Sequence, residues 1–493
     1  MKGNSNNSIV KNSMMYTIAN LLLKAFNFFL IPLYTAHLTT EEYGVINLAS
    51  GFYTLVSSFI ILSLQYAVIR FYADIHNDKK KISRMFGTVI NFIVVAGISF
   101  LIVALIERRI ITSYFFRGVS FFPIVFLSLL VSVVSGLYQV YQDILKGMQE
   151  ARKSVWMSYF YFFLMFCLNV VAVVVLKLGA VGVITSTLIV NTILVLIMFV
   201  DLIKHGLYQA CIDRTILKEL LKYSLPLVPH TVAYNLQTYA TKVIISAKLS
   251  MALLGIYSLA SQFGSIADVI LSSVQAAFQP WFYRVLNDNS EQRKKKISSL
   301  TYSLMWVYGL FFIGIGAFSQ EAILLMANEG YAHSWVYVPL IVFSVALKSP
   351  LYFYVNFLYY DKSKTKYIFI STMLGCIVNI WLTAILVPIV QIVGSIIADI
   401  GGLIVRLAFT MLILGKQTQH IYSFWKLELY SVIPIGFLVL ALIPSFTMFS
   451  NCISFLNLTY KAIIVLMYLG IACAANREIV RDVMMKRGKN EYY

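Results

Sequence analysis

Fourteen runs of about twenty apolar residues follow one another along this 493-residue chain, and they leave it few folds to adopt. A run of that length crosses a hydrocarbon layer of about 30 Å as an α-helix. No water reaches the backbone at that depth, so a spanning segment has to satisfy its N–H and C=O groups internally. The runs predict spans near 9–36, 44–72, 85–106, 121–144, 154–176, 180–203, 223–247, 252–284, 298–319, 335–359, 367–387, 391–415, 427–448 and 457–476. The run near 252–284 is long enough to tilt or to protrude. The connections are short, so no soluble domain with a core of its own is expected. The predicted fold class is all-α, a polytopic membrane protein of about 14 transmembrane helices.

Charge supports the same reading. Only 12% of residues are charged and 60% are hydrophobic, whereas soluble domains carry about 25% charged residues. The net charge of +18 would suggest an anionic partner in a soluble protein, but here its placement decides. With the N-terminus in the cytoplasm, 28 of the 39 Lys and Arg residues fall in cytoplasmic segments. Six fall in outer ones: Arg108, Arg109, Arg117, Lys177, Lys248 and Lys461. The inside-positive rule therefore predicts that both termini are cytoplasmic. The basic charge becomes a topology signal and offers no support for nucleic-acid binding. Five scattered cysteines read as small core residues, and neither they nor the histidines show metal-ligand spacing. The polar head MKGNSNNSIVKN runs straight into a full-length span, so the N-terminus is expected to be retained.

One stretch occurs twice. Residues 36–50, AHLTTEEYGVINLAS, shifted by 211 positions lie on residues 247–261, AKLSMALLGIYSLAS. Ala36, Leu38, Gly44, Leu48, Ala49 and Ser50 meet identical residues, and Thr39 meets Ser250. The same offset lays Phe71-Tyr72 on Phe282-Tyr283, and Glu150, Lys153 and Ser154 on Asp361, Lys364 and Thr365. Self-similarity at a fixed spacing signals two copies of one structural unit. Six spans separate the copies, so both cross in the same direction and a pseudo-two-fold axis along the membrane normal is expected. The resulting organisation is a six-helix lobe at 1–203, an amphipathic cytoplasmic linker at 204–222, a second six-helix lobe at 223–415, and two additional helices with a cytoplasmic tail at 416–493.

Several residues resemble a known family. Ile31-Pro32-Leu33-Tyr34, Leu38 and Tyr43-Gly44 resemble the first hairpin of the polysaccharide-exporter (Wzx-type) lipid-linked oligosaccharide flippases. In the second copy, Leu225-Pro226-Leu227-Val228-Pro229, the run from Gly255 to Ala260 and Pro280-Trp281-Phe282-Tyr283 agree. These flippases belong to the multidrug/oligosaccharidyl-lipid/polysaccharide exporter superfamily. The resemblance implies two lobes that open alternately to either face of a bacterial inner membrane. It implies as substrate an undecaprenyl-pyrophosphate-linked oligosaccharide for O-antigen, capsule or a similar glycan. It further implies contact with membrane lipids, a polysaccharide polymerase as a partner, and transport with no enzymatic step. Where related sequences often place an Asp-Arg pair in span seven, this chain has Thr241-Lys242, keeping the positive charge without its acidic neighbour.

Ionisable groups inside a bilayer are costly and usually face a partner or a watery cavity. Within the spans stand Lys24, Lys242, Lys348 and Arg406, with Asp268 and Asp399, while Arg70 sits at the inner end of span two. A pyrophosphate head needs a cationic path while its prenyl tail stays in lipid. Lysine offers a point charge and arginine a bidentate fork to phosphate oxygens. Lys24, Lys242, Lys348, Arg406 and Arg70 are thus the expected substrate-binding cavity residues, with snorkelling or interface anchoring as the plainer reading of Lys242 and Arg70. Asp268 and Asp399 are the expected coupling acids, and Asp399 also stands where it would neutralise Arg406 two turns later. Pro226 and Pro229 are the expected hinge. Aromatic clusters such as Tyr352-Phe353-Tyr354 read as belts at the lipid boundary. No cofactor is implied. Three alternatives remain open on this reading: a lipid II flippase, a cation-coupled multidrug exporter, and a membrane-embedded glycan polymerase or ligase. The longest outer loop, with only Glu321, Glu329 and His333, disfavours the last.

Overall fold

A computed structural model describes residues 28–477, apart from 117, 288–291, 362, 365, 416–420 and 451. Every regular element among them is helical. In chain order they are α1 (Phe28–His37), α2 (Thr40–Ile61), α3 (Leu64–Ile75), α4 (Lys79–Ile106), α5 (Arg108–Phe115), α6 (Phe126–Gly147), α7 (Ala151–Asn169) and α8 (Gly179–Lys204). They continue as α9 (Arg214–Ser224), α10 (Val228–Lys248), α11 (Met251–Leu286), α12 (Arg293–Ala317), α13 (Ser319–Met326), α14 (Val338–Tyr360), α15 (Lys366–Leu414), α16 (Phe424–Thr447) and α17 (Phe455–Ala475). Among the described residues, eleven helical stretches are long and apolar enough to cross a membrane. This is an all-α, multi-pass membrane protein.

Three local features depart from the simple span pattern. Span two is two helices, since α2 stops at Leu62 and α3 restarts after Ser63, both left-handed at φ 50° and 57°. Spans eleven and twelve run as the single stretch α15, whose helical path breaks at Val390 and Gln391 (φ 55°). In span seven, Pro226 lies in the short 3₁₀ turn Leu225–Leu227 and Pro229 in the first turn of α10. A proline in a first turn removes no intrahelical hydrogen bond. Span seven is therefore not broken by its prolines, which mark the junction with the amphipathic helix α9.

The duplicated stretch is a repeated helix start. Thr39 caps α2 in a reciprocal capping box with Glu42, and the Ser250 hydroxyl accepts from Leu253 N–H at 3.1 Å. Leu38 N–H donates to the Tyr34 carbonyl at 2.8 Å, and its counterpart Leu249 donates to Ile245 at 2.9 Å. The Glu42 N–H to Thr39 and Leu38 N–H to Tyr34 bonds map onto their counterparts through the 211-residue offset, whereas the Glu42 half of the box has none at Leu253. The offset also relates a contact. A Cβ on Gly44 would collide with the Met251 carbonyl oxygen, and one on Gly255 with the Thr40 carbonyl oxygen. Met251 is the counterpart of Thr40, so the two glycines meet across a local two-fold axis. Small residues allow such close backbone approach between membrane helices.

By packing, the chain forms two compact units. The first holds Met1–Ser258 with Thr383–Gln391, and the second Leu259–Leu382 with Ile392–Tyr493. The lobes read from the duplication describe descent, whereas these units describe contact, and α10 with the start of α11 packs in the first. Its core holds Phe52, Phe86, Ile90, Leu129, Tyr141, Leu194 and Tyr239, all buried. In the second unit, edge-on rings join α11 to α14 through Phe278–Phe353 (5.1 Å) and Phe282–Phe357 (4.9 Å). The appended pair α16–α17 docks on α12, where Gly309 and Gly316 make room for Tyr468 and Leu438.

Candidate functional site

In the second unit, Lys348 stands on α14 just before Ser349-Pro350. Its Nζ donates to the Asp268 carboxylate on α11 at 2.9 and 3.2 Å and lies 5.6 Å from the Tyr352 ring centre. One turn earlier on α14, Ser344 Oγ donates to Asp399 at 3.1 Å, and Asn379 Nδ2 donates to the other Asp399 oxygen at 3.1 Å. Lys348, Asp268 and Arg406 all act electrostatically on Asp399. The Arg406 stem crosses α15 over Gly375, where a Cβ would clash with its Cγ and Cδ. Four residues selected from the sequence therefore converge, two cations and two carboxylates. The cluster is balanced in charge, with Lys348 held in an ion pair.

The first unit is different. Lys242 on α10 donates to the backbone carbonyl of Asn47 on α2 at 3.0 Å, beside Gly51. Among the described residues no carboxylate pairs with it. An ammonium has three N–H donors, so a neutral carbonyl leaves capacity for an anion. Arg70 on α3 pairs with Asp74 at 2.7 Å in an exposed i,i+4 contact. Lys24 lies outside the described residues.

Two polar features were missed by sequence reasoning. Lys461, counted there as an outer-segment charge, is fully buried on α17 and pairs with Glu321 of α13 at 2.7 and 2.8 Å. Gln320 and Asn457 complete that network. A single lysine near a span end looks like a snorkelling anchor, and a partner 140 residues away leaves no local signal. The other feature is a polar cavity between α2, α3, α6 and α10, lined mainly by amides and hydroxyls that carry no flag in a sequence. By contrast, a cavity of about 500 Å³ in the second unit is walled by Ile404, Leu407, Met411, Phe424 and Trp425 and offers a charged head little.

The sequence profile described as "Polysaccharide biosynthesis protein" matches residues 9–286, more than half the chain. The chain belongs to the polysaccharide biosynthesis protein family. A Haemophilus influenzae protein of the Lsg locus is 21% identical over 371 residues, covering 72% of this chain and 86% of its own length. The succinoglycan biosynthesis transport protein ExoT of Rhizobium meliloti is 24% identical over 140 residues, 28% of each chain. Among solved structures, the lipid II flippase MurJ in an inward closed conformation superposes with a TM-score of 0.69 at 14% identity. That match covers 95% of this chain and all of MurJ. An inward-facing multidrug resistance transporter of the MATE family and MOP superfamily gives 0.64 at 13% identity, covering 85% and 95%. At such identities the likeness concerns the fold, which this family member shares with both transporters.

Proposed function

We propose that this protein carries an undecaprenyl-pyrophosphate-linked oligosaccharide repeat unit from the cytoplasmic to the outer leaflet of a bacterial inner membrane by alternating access. The glycan is destined for O-antigen, capsule or a similar polysaccharide, both termini are cytoplasmic, and no covalent step occurs. The observation that carries this reading is Lys242, an ammonium inside a span that donates to a neutral carbonyl. Holding a charge in a bilayer is expensive and rarely retained without a use. A passing pyrophosphate supplies the missing counter-charge. Arg406, Lys348, Lys24 and Arg70 are assigned secondary phosphate contacts. Lys348 becomes available as its pair with Asp268 opens. Asp268 and Asp399 are assigned to ion coupling, since Asp399 is held by neutral donors. The 3₁₀ junction at Pro226 and Pro229 is assigned as the hinge, and a polysaccharide polymerase as the downstream partner.

Lipid II transport is the second reading, favoured by the full-length match to MurJ. It shares the pyrophosphate and differs in the glycan. The test is export in cells that depend on this protein. Lys242→Ala is expected to lower surface polysaccharide at least about tenfold, the scale of one lost charge-assisted hydrogen bond or more. Lys242→Arg retains part of it, with protein level unchanged in both. Full export by Lys242→Ala would remove the assignment.

A further inference from the structure

We infer that the first unit holds a pocket lined mainly by amides and hydroxyls for the sugar residues of the transported glycan, separate from the cationic contact at Lys242. This deepens the flippase reading and rests on it. The pocket encloses about 370 Å³ and is walled by α2, α3, α6 and α10. Its polar lining is made chiefly of amides and hydroxyls, Ser58, Ser63, Gln65, Gln139, Thr231 and Asn235, with the imidazole of His230 beside them. No Asp, Glu, Lys or Arg belongs to it.

The lining chemistry narrows the ligand. A phosphate or metal ion would require opposite charge, and an organic cation a carboxylate or an aromatic cage. A prenyl chain gains nothing from amides. Sugar hydroxyls each donate and accept, and side-chain amides answer with both capacities in one group. Tyr66 and Tyr234, each about half exposed, add apolar ring faces to the same wall.

The decisive atom is Gln65 Oε1. Gln65 is 9% exposed, and its amide oxygen is buried with no hydrogen-bond partner among the described residues. Buried acceptors are rarely left so, because an unmet one carries its full desolvation cost. Neighbouring groups are committed elsewhere: Ser63 Oγ to Thr231 Oγ1 at 2.9 Å, and Asn235 Nδ2 donating to Ser58 Oγ at 2.6 Å. The break at Leu62 and Ser63 lies in the same wall. Non-helical backbone at membrane depth is tolerated where it lines a cavity, and left-handed non-glycine residues persist where surrounding structure holds them.

Room for more than one sugar follows from a second cavity of about 530 Å³ that shares Gln65, Tyr66 and Gln139. It extends past Tyr138 and Gln142 to the Asp143–Lys146 pair (2.7 Å). The Tyr138 ring stacks on Tyr161 at 5.8 Å, and its hydroxyl accepts from Gln142. The two volumes match the range of about 300–1,000 Å³ typical of small-molecule pockets.

The test uses the full chain in lipid nanodiscs, titrated with undecaprenyl pyrophosphate and with the same lipid bearing a neutral disaccharide. Wild-type protein is expected to bind the glycosylated lipid at least about tenfold more tightly. Gln65→Leu is expected to remove about tenfold of that preference while leaving the bare lipid within about twofold. Gln139→Ala, at an exposed wall position, is expected to reduce the preference in the same direction. Lys242→Ala weakens both lipids alike. Equal wild-type binding of the two lipids overturns the sugar pocket alone, as does a preference that survives both Gln65→Leu and Gln139→Ala. Binding of neither lipid overturns the flippase reading and the pocket with it.

Discussion

Gly44 and Gly255 each occupy a position where an added methyl meets a carbonyl oxygen of the facing helix start. Helix backbone has little freedom to move aside, so overpacking of about 1–3 kcal/mol is expected for Gly44→Ala. The measurement is thermal unfolding of the purified protein. Gly436→Ala on α16, where a Cβ meets nothing within 4 Å, serves as the control and should hold or slightly raise the midpoint. Lys461 and Glu321 pose the opposite problem, two charges fully or almost fully out of solvent. Lys461→Met alone leaves a buried carboxylate and should cost about 3–5 kcal/mol, whereas adding Glu321→Leu should restore most of it. A double-mutant cycle on unfolding reads the coupling. Additive losses would show that the pair contributes no coupling.

The helices were legible in the sequence wherever apolar length alone decides, and less so where backbone geometry does. Leu62 and Ser63 break span two with neither glycine nor proline, so no sequence signal marks the break. Pro226 and Pro229 read as breaking backbone bonds early in span seven, yet in the 3₁₀ turn and the first turn of α10 they do not break the helix. The order of turn and cap, which only coordinates reveal, makes the difference. Helix capping gives a pH-dependent prediction at this scale. Asp78 accepts from Lys81 N–H at the start of α4, and that backbone bond holds its carboxyl below the usual carboxylate range. A depressed folded-state pKa contributes stability above the unfolded value of about 4 and loses it as pH falls through the folded one. The stability gap between wild type and Asp78→Ala should thus be constant near neutrality and close in acid. A gap that widens in acid contradicts the assignment.

Across the molecule, the duplication organises the chain, and it reappears in matching cap and turn hydrogen bonds at the two helix starts. The site was legible only in its ionisable members. Lys348, Asp268, Asp399 and Arg406 could be picked out as costly residues in apolar runs, and the fold brings them together. That Lys348 pairs with Asp268 was not legible, because the two stand on different helices 80 residues apart. Neutral groups such as Gln65 and Asn235 carried no such flag, since an amide in a span reads as ordinary packing. The proposed chemistry is a division of labour, with charge at Lys242 for the pyrophosphate and amides in the first-unit cavity for the sugars. The most direct test reconstitutes the protein in proteoliposomes and follows a fluorescent undecaprenyl-pyrophosphate oligosaccharide from one leaflet to the other. Wild-type protein is predicted to move it, and Lys242→Ala to move it at least about tenfold more slowly with an unchanged unfolding temperature. Lipid that stays in its leaflet with wild-type protein, or crosses equally fast with Lys242→Ala, would contradict the account.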